Sequence, residues 1–295
     1  MGQTKVNKKP KSKTRKIKGA LRKLNCSPTS ENNFTCYSNK SLNYLKEMWN
    51  TRHPDVKITS NNPREIWDQL RTHLSSVCKT EECWLRQKFM EGKLTNELKN
   101  YTFAPKAPRT WRSNPDEWLS SLDIEKVMKQ YERKYSCFDF IGPSPIDYDH
   151  HKMFNECVWD ELCKFNLKKM IQQGKNKIGI VFNTDPHYKD GSHWIAVFIN
   201  IKKAEIYFFD STGDKPPKQV LKLVKTITEQ GSRENIQFAY LENHPNSHQK
   251  KNSECGVYCL YFLINMVENE DFDVFKEGNI PDDQIQNFRK IYFNL

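Results

Sequence analysis

Apolar positions along this chain recur at helical spacing up to about residue 174, then gather into short runs parted by turns, with helical spacing returning between and after them. Leu42, Leu45 and Met48 predict a helix over 41–49. Asn62-Pro63 reads as a helix start, a capping side chain followed by proline at the first helical position, and Ile66, Leu70 and Leu74 continue it at four-residue spacing. A further short helix begins at Glu81-Glu82-Cys83-Trp84-Leu85. Pro105, Pro108 and Pro115 mark a linker over 101–115. Trp118, Leu122, Val127 and Tyr131 predict a helix over 116–134. A loop rich in Pro and Asp follows over 142–149, then a helix over 159–172 closed by Gly174.

The strand-like runs are 178–182, 193–201 and 204–209. A loop over 184–192 parts the first two, and a tight Lys202-Lys203 turn predicts that the second and third form an antiparallel hairpin. An amphipathic helix over 216–230 and a strand over 236–241 come next. Residues 255–267 are apolar nearly all round, which predicts a helix at the centre of the core, and an amphipathic helix over 282–293 follows. The expected fold class is α+β: a mixed central sheet flanked by helices, preceded by a small helical domain. The expected division is a disordered basic tail over 1–24, a helical domain over 25–105 and a larger domain over 106–295. No internal repeat is present.

Charge changes this picture at one end only. The chain has 295 residues, 37% hydrophobic and 28% charged, as a soluble globular protein would. Its net charge is +11, yet residues 1–24 alone hold ten Lys or Arg and no acid, so the remainder carries +1. A run of cations this dense cannot collapse. It is expected to be a solvated tail whose residues 5–23 make weak, salt-sensitive contact with nucleic acid or with nuclear import machinery. No apolar run approaches the roughly 18–20 residues of a membrane span, so no membrane partner is expected. The start has no apolar signal core, and Val6 stands where a myristoylation motif needs Ser or Thr. Nine cysteines, an odd number, point to a reducing compartment and free thiols. Cys26, Cys36, Cys78 and Cys83 could in principle hold zinc, but gaps of nine and four residues suit a zinc ribbon poorly.

Chemistry concentrates near the C-terminus, where His193, Asp210, Gln249 and Cys255 stand in that order. No other part of the chain offers a complete set. A thiol nucleophile acts as its thiolate, and Cys255 heads the apolar helix, where unpaired backbone N–H groups and the positive helix end are expected to lower its pKa. His193 opens a strand beside a loop, held yet exposed, as a base that later becomes an acid must be. Asp210 ends the next strand. A hairpin turn centred between residues 201 and 202 puts it opposite His193, as the acceptor that orients the imidazole. Gln249, on the loop before Cys255, can supply a side-chain amide to a developing oxyanion. Taken singly, each residue has a plainer reading: a buried small side chain, a strand-edge histidine, an Asp-capped turn, an ordinary glutamine. His187, His244 and His248 compete as bases, but none opens a strand paired with an acid-ended partner. No cofactor or metal is expected.

His193-Trp194, Asp210-Ser211-Thr212, and Gln249 with five residues before Cys255-Gly256 resemble the SUMO-specific (ubiquitin-like) protease and adenovirus proteinase superfamily of cysteine proteases. The resemblance covers about residues 115–295 and implies a papain-like/adenain-like fold. Residues 118–124 resemble the family's Trp-Leu-x-Asp segment, with Ser121 where Asp is frequent. By this resemblance Trp118 and Trp194 flank a narrow channel that admits a Gly-Gly backbone, since a slot between two indoles excludes side chains. Phe182-Asn183-Thr184-Asp185, Gly191-Ser192-His193-Trp194 and Ser211-Thr212-Gly213 with Pro216-Pro217 are similar to the core polyprotein proteases of large cytoplasmic DNA viruses, African swine fever virus-like and giant-virus thiol proteases. The resemblance implies cleavage of viral structural precursors after Gly-Gly-type sites during virion maturation, in the host cytoplasm (the viral factory) and the virion core. A deSUMOylating or deubiquitinating isopeptidase is the alternative enzyme. A virion scaffold or nucleic-acid-binding protein is the non-enzyme alternative.

Overall fold

A computed structural model describes residues 21–90, 92–152, 154 and 156–295. The basic residues from Lys5 to Lys18, to which nucleic-acid contact is assigned above, lie outside the described residues. The chain forms two compact units. One contains residues 31–99, and the other joins residues 25–30 to 100–295.

In the smaller unit, α1 (Asn39–Arg52) starts at Ser38, whose side chain accepts from the Ser41 N–H. α2 (Pro63–Leu74) starts at Asn62, which caps the N–H groups of Arg64 and Glu65, with proline at the first helical position as the sequence predicts. Residues 81–86 form a 3₁₀ helix, and α3 (Lys93–Tyr101) follows. Leu42, Leu45, Ile66, Leu70 and Trp84 fill the interior. Cys78 and Cys83 are disulfide-bonded, with S–S 2.08 Å and Cα–Cα 5.5 Å. Cys26 and Cys36 are disulfide-bonded as well, which corrects the expectation of free thiols and removes all four members of the candidate zinc quartet. The tight turn of the 3₁₀ helix brings Cys78 and Cys83 together, which spacing alone does not reveal.

The larger unit is built on a five-stranded mixed sheet in the order β1-β2-β3-β4-β5. β1 (Phe138–Pro145) runs parallel to β2 (Lys177–Asn183). β2 is antiparallel to β3 (Trp194–Asn200), β3 is antiparallel to β4 (Glu205–Phe209), and β4 is parallel to β5 (Ala239–Glu242). Every residue of β3 is buried because helices cover both faces. On one face Phe138, Val181, Ala196, Phe198 and Phe209 pack against α8 (Cys255–Val267) and α4 (Ser121–Lys134). On the other, Ile178, Ile180, Val197, Ile199 and Phe208 pack against α7 (Lys218–Arg233), the amphipathic helix expected from its pattern. α5 (Asp160–Cys163), α6 (Leu167–Gln172), α9 (Asp273–Lys276) and α10 (Asp282–Tyr292) complete the unit. Among the described residues no helix is long and apolar enough to cross a membrane.

Three local differences from the sequence reading matter to the site. Residues 138–145 form an edge strand where the sequence predicts only a Pro-rich loop. An edge strand tolerates proline, and Gly142, at φ +105°, turns the backbone where the register shifts between Ile141 and Ser144. The helix predicted over 116–134 begins only at Ser121, because Ser120 and Asp123 form a reciprocal capping box. Trp118 therefore stands in extended chain ahead of the helix. The helix predicted over 159–172 breaks into α5 and α6, with Asn166 capping the second through the Lys169 N–H. Cys163 ends α5 and is disulfide-bonded to Cys157, S–S 1.93 Å, a second departure from the free-thiol expectation.

Candidate active site

Cys255 is the first residue of α8 and is 1% exposed. The residue after it is glycine for a packing reason. A Cβ on Gly256 would lie 2.9 Å from the Leu119 Cβ, so only glycine lets the helix start approach the 118–120 segment this closely. Leu119 in turn accepts a 3.0 Å hydrogen bond at its carbonyl from the Trp194 indole N–H. The helix headed by Cys255, the lead-in to α4 and the start of β3 are thereby drawn to one place.

His193 sits one residue before β3. Its Nε2–H donates to Asp210 Oδ1 at 2.8 Å, and Cys255 adds to the electrostatic environment that favours the charged ring. The β3–β4 register pairs Ala196 with Phe209. One more step of that ladder would set Asp210 against Ile195, so His193 and Asp210 meet diagonally rather than directly opposite, as the hairpin count predicts. A two-residue offset keeps both side chains on one face, so the contact survives the change of register. Burial alone would push the His193 imidazolium toward its neutral form. The hydrogen bonds and charges of Asp210 and Cys255 override it and raise the pKa to about 10.

Asp210 Oδ1 also accepts from the Thr212 N–H at 2.9 Å and the Thr212 hydroxyl at 2.7 Å. Its backbone is held by Asn243, whose Oδ1 accepts the Asp210 N–H at 2.9 Å and whose Nδ2 donates to the Asp210 carbonyl at 2.7 Å. Asn243 carries no motif and follows a short strand, so the sequence reading misses it. Gln249 is 7% exposed. Its Oε1 accepts from the Ser211 hydroxyl at 2.7 Å, and its Nε2 donates to the Lys251 carbonyl at 2.7 Å, leaving one amide hydrogen uncommitted.

The competing histidines are engaged elsewhere. Buried His248 bonds the Phe275 carbonyl through Nε2 (2.7 Å) and accepts the Ile280 N–H at Nδ1 (3.2 Å), and burial depresses its pKa. His244 Nδ1 lies 2.7 Å from the Gly213 carbonyl. His187 pairs with Asp147 at 2.7 Å on the wall of the groove described next. Burial would raise the Asp147 carboxyl, but the hydrogen bonds from His187 outweigh it and hold it below its usual value.

A groove of about 580 Å³ runs along this unit, lined by Trp118, Leu119, Pro143, Trp159, His187 and Trp194 among others. Trp118 is 43% exposed and Trp194 only 8%, so one indole stands at the rim and the other is packed into the wall, tied to the Leu119 carbonyl. Among the described residues a single group could offer metal ligands: His151, Cys157 and Cys163, with donor atoms within 4.8 Å of one another. Its two sulfurs are bonded to each other.

Residues 123–295 match the Ulp1 protease family, C-terminal catalytic domain, over more than half of the chain. The chain is 32% identical over 244 residues to a putative thiol protease of Acanthamoeba polyphaga mimivirus, covering 81% of this chain and 77% of that one. It is 25% identical over 258 residues to the SUMO-1 cysteine protease of African swine fever virus, covering 82% and 92%. The crystal structure of the African swine fever virus protease superposes with a TM-score of 0.64 at 20% identity, over 91% of this chain and 95% of that one. The mixed five-stranded sheet with its flanking helices is therefore the Ulp1-type fold, and the chain belongs to the Ulp1 protease family of cysteine proteases.

Proposed function

We propose that this cysteine endopeptidase uses Cys255 as nucleophile, His193 as base and then acid, Asp210 to orient His193, and Gln249 to stabilise the oxyanion. One observation carries the reading: His193 bonds Asp210 at 2.8 Å through Nε2, and both Asp210 and Cys255 favour its charged ring. The imidazolium, held charged by Asp210, stabilises the Cys255 thiolate. The thiolate attacks the scissile carbonyl. Negative charge gathers on the carbonyl oxygen, toward which the free amide hydrogen of Gln249 and the N–H groups at the start of α8 can donate. His193 then protonates the departing amine, leaving a thioester on Cys255. A water deprotonated by His193 hydrolyses the thioester and restores the pair.

The substrate is a protein with a Gly-Gly motif, held so that its backbone passes Trp118 and Trp194. The exposed Trp118 and the bonded Trp194 on one groove support this. The similarity to viral proteases supports structural precursors of a virion as the natural targets, cut in the host cytoplasm and virion core. The acid-free basic tail supports a weak nucleic-acid contact through residues 5–23 that keeps the enzyme near packaged genome. A second reading, an isopeptidase acting on ubiquitin-like modifiers, is favoured by the family match itself.

Cys255→Ala is expected to abolish cleavage of a Gly-Gly-Xaa fluorogenic peptide with an unchanged melting transition, and retained cleavage would remove Cys255 from the mechanism. Comparing candidate viral precursors with modifier-linked fluorogenic substrates separates the two readings. The first predicts turnover of the precursors at Gly-Gly and little release from the modifiers.

A further inference from the structure

We infer that Asp282, at the start of α10, is a positioning residue that holds the oxyanion loop in its working shape. The inference rests on the reading of Gln249 as an oxyanion donor. Asp282 is 7% exposed, and its side-chain contacts converge on the surroundings of the nucleophile. Oδ2 accepts the backbone N–H groups of two consecutive residues, Lys250 and Lys251, each at 3.0 Å. Oδ1 lies 3.0 Å and the Ile280 carbonyl 2.8 Å from the Tyr258 hydroxyl, whose single proton the two acceptors share. Tyr258 is on α8, three residues beyond Cys255.

The route from Asp282 to Gln249 runs through Lys251. The Lys251 amide donates to Asp282, and its carbonyl accepts from Gln249 Nε2. Anchoring the Lys250 and Lys251 N–H groups restrains the Lys251 backbone and so the carbonyl that receives the Gln249 amide, while the Ser211 hydroxyl holds the other side of that amide. With both sides held, the uncommitted hydrogen has one direction. A carboxylate is suited to this task. It accepts two adjacent N–H groups on one oxygen with charge-assisted strength, while its other oxygen ties the same point to the nucleophile's helix. These hydrogen bonds run to the loop and to Tyr258 rather than to His193 or Asp210, so the thiolate–imidazolium pair is independent of them.

The test uses the full chain, a fluorogenic Gly-Gly amide peptide, and alkylation of Cys255 by iodoacetamide, with Asp282→Ala, Gln249→Ala and the double variant. Asp282→Ala is expected to lower kcat about 10-fold or more, since losing one oxyanion donor costs about 10²–10³. KM and the alkylation rate are expected to stay within about twofold, and the double variant to be no slower than Gln249→Ala alone. Losses that multiply in the double variant would overturn the inference while leaving Gln249 in its role. So would an alkylation rate that falls along with kcat. A Gln249→Ala enzyme of full activity would instead overturn the reading of Gln249, and the inference with it. Should Asp282→Ala not fold, amide hydrogen exchange on the wild-type protein decides. Lys250 and Lys251 are expected to be protected beyond their loop neighbour Asn252, and equal exchange in all three would overturn the inference.

Discussion

A histidine whose pKa rises while it is buried must be gaining more from its partners than it loses to burial. For His193 those partners are Asp210 and Cys255. Because the folded pKa, about 10, lies above the usual value of 6.5, the charged ring adds stability that is fully present below pH 6.5. That stability is lost progressively as pH rises toward 10. The melting temperature of the wild type should therefore exceed that of His193→Gln by most near pH 6, with the gap closing toward pH 10. A gap constant with pH would mean that the ring is not held charged. Asp210→Ala should cut kcat by about 10²–10⁴-fold with little change in KM, the scale on which a positioned acid–base group acts. Steady-state kinetics would check it. At this scale the contact between His193 and Asp210 was legible, because strand alternation forces it even when the register is off by two. Asn243 and Ser211 were not legible. They act on Asp210 and Gln249 through backbone groups and one hydroxyl, interactions that any Asn or Ser could make and that only the fold brings into reach.

Elements were legible where one period ran unbroken. α2, α7 and α8 follow their apolar patterns, with α2 and α8 starting where expected and α7 extending a few residues past its predicted end. β1 was hidden by its two prolines and glycine, which normally argue against a strand and are permitted here only by its place at the sheet edge. The early boundary given to α4 came from counting Trp118 as one more helical apolar position. The capping box at Ser120 shows why the helix could not begin there. The tight packing of α8 on Leu119 makes a prediction at this scale. Gly256→Ala forces a Cβ to within 2.9 Å of Leu119, and such overpacking costs typically about 1–3 kcal/mol. It should lower both stability and activity, and the loss should be smaller in a Leu119→Gly background, which lacks the Cβ that the new methyl meets. A double-mutant cycle on melting temperature and kcat would measure the coupling.

At the scale of the whole molecule, the helical segment over 31–99 was visible as a change in period. The membership of residues 25–30 was not, because it depends on pairing across the length of the chain. The Asn25 N–H donates to the Asn294 side chain at 2.7 Å, Cys26 bridges Phe103, and the Thr29 hydroxyl reaches the Tyr101 carbonyl at 3.3 Å. Residues 31–99 are thus spliced into the larger unit between two adjacent points. Replacing 31–99 by a short Gly-Ser linker should leave a folded protein that still cleaves a Gly-Gly peptide. Removing 1–105 should lower the melting temperature by several degrees through loss of the Asn25 and Phe103 contacts. Differential scanning calorimetry and the peptide assay check both, and equal destabilisation by the two deletions would show that the splice point is not a seam.

The ties that Asn294 makes to Asn25 and to the Ala104 carbonyl have a further consequence, in time rather than in space. A ribosome makes Cys255 well before it makes Asp282, Arg289 and Asn294. Arg289 secures the Ser253 and Pro115 carbonyls, on either side of the nucleophile's approach, and Asn294 closes the ring between residues 25 and 104. Folding around Cys255 therefore cannot finish until residues 25, 104, 115 and 289–294 have met, so this site forms with the larger unit as a whole rather than ahead of it.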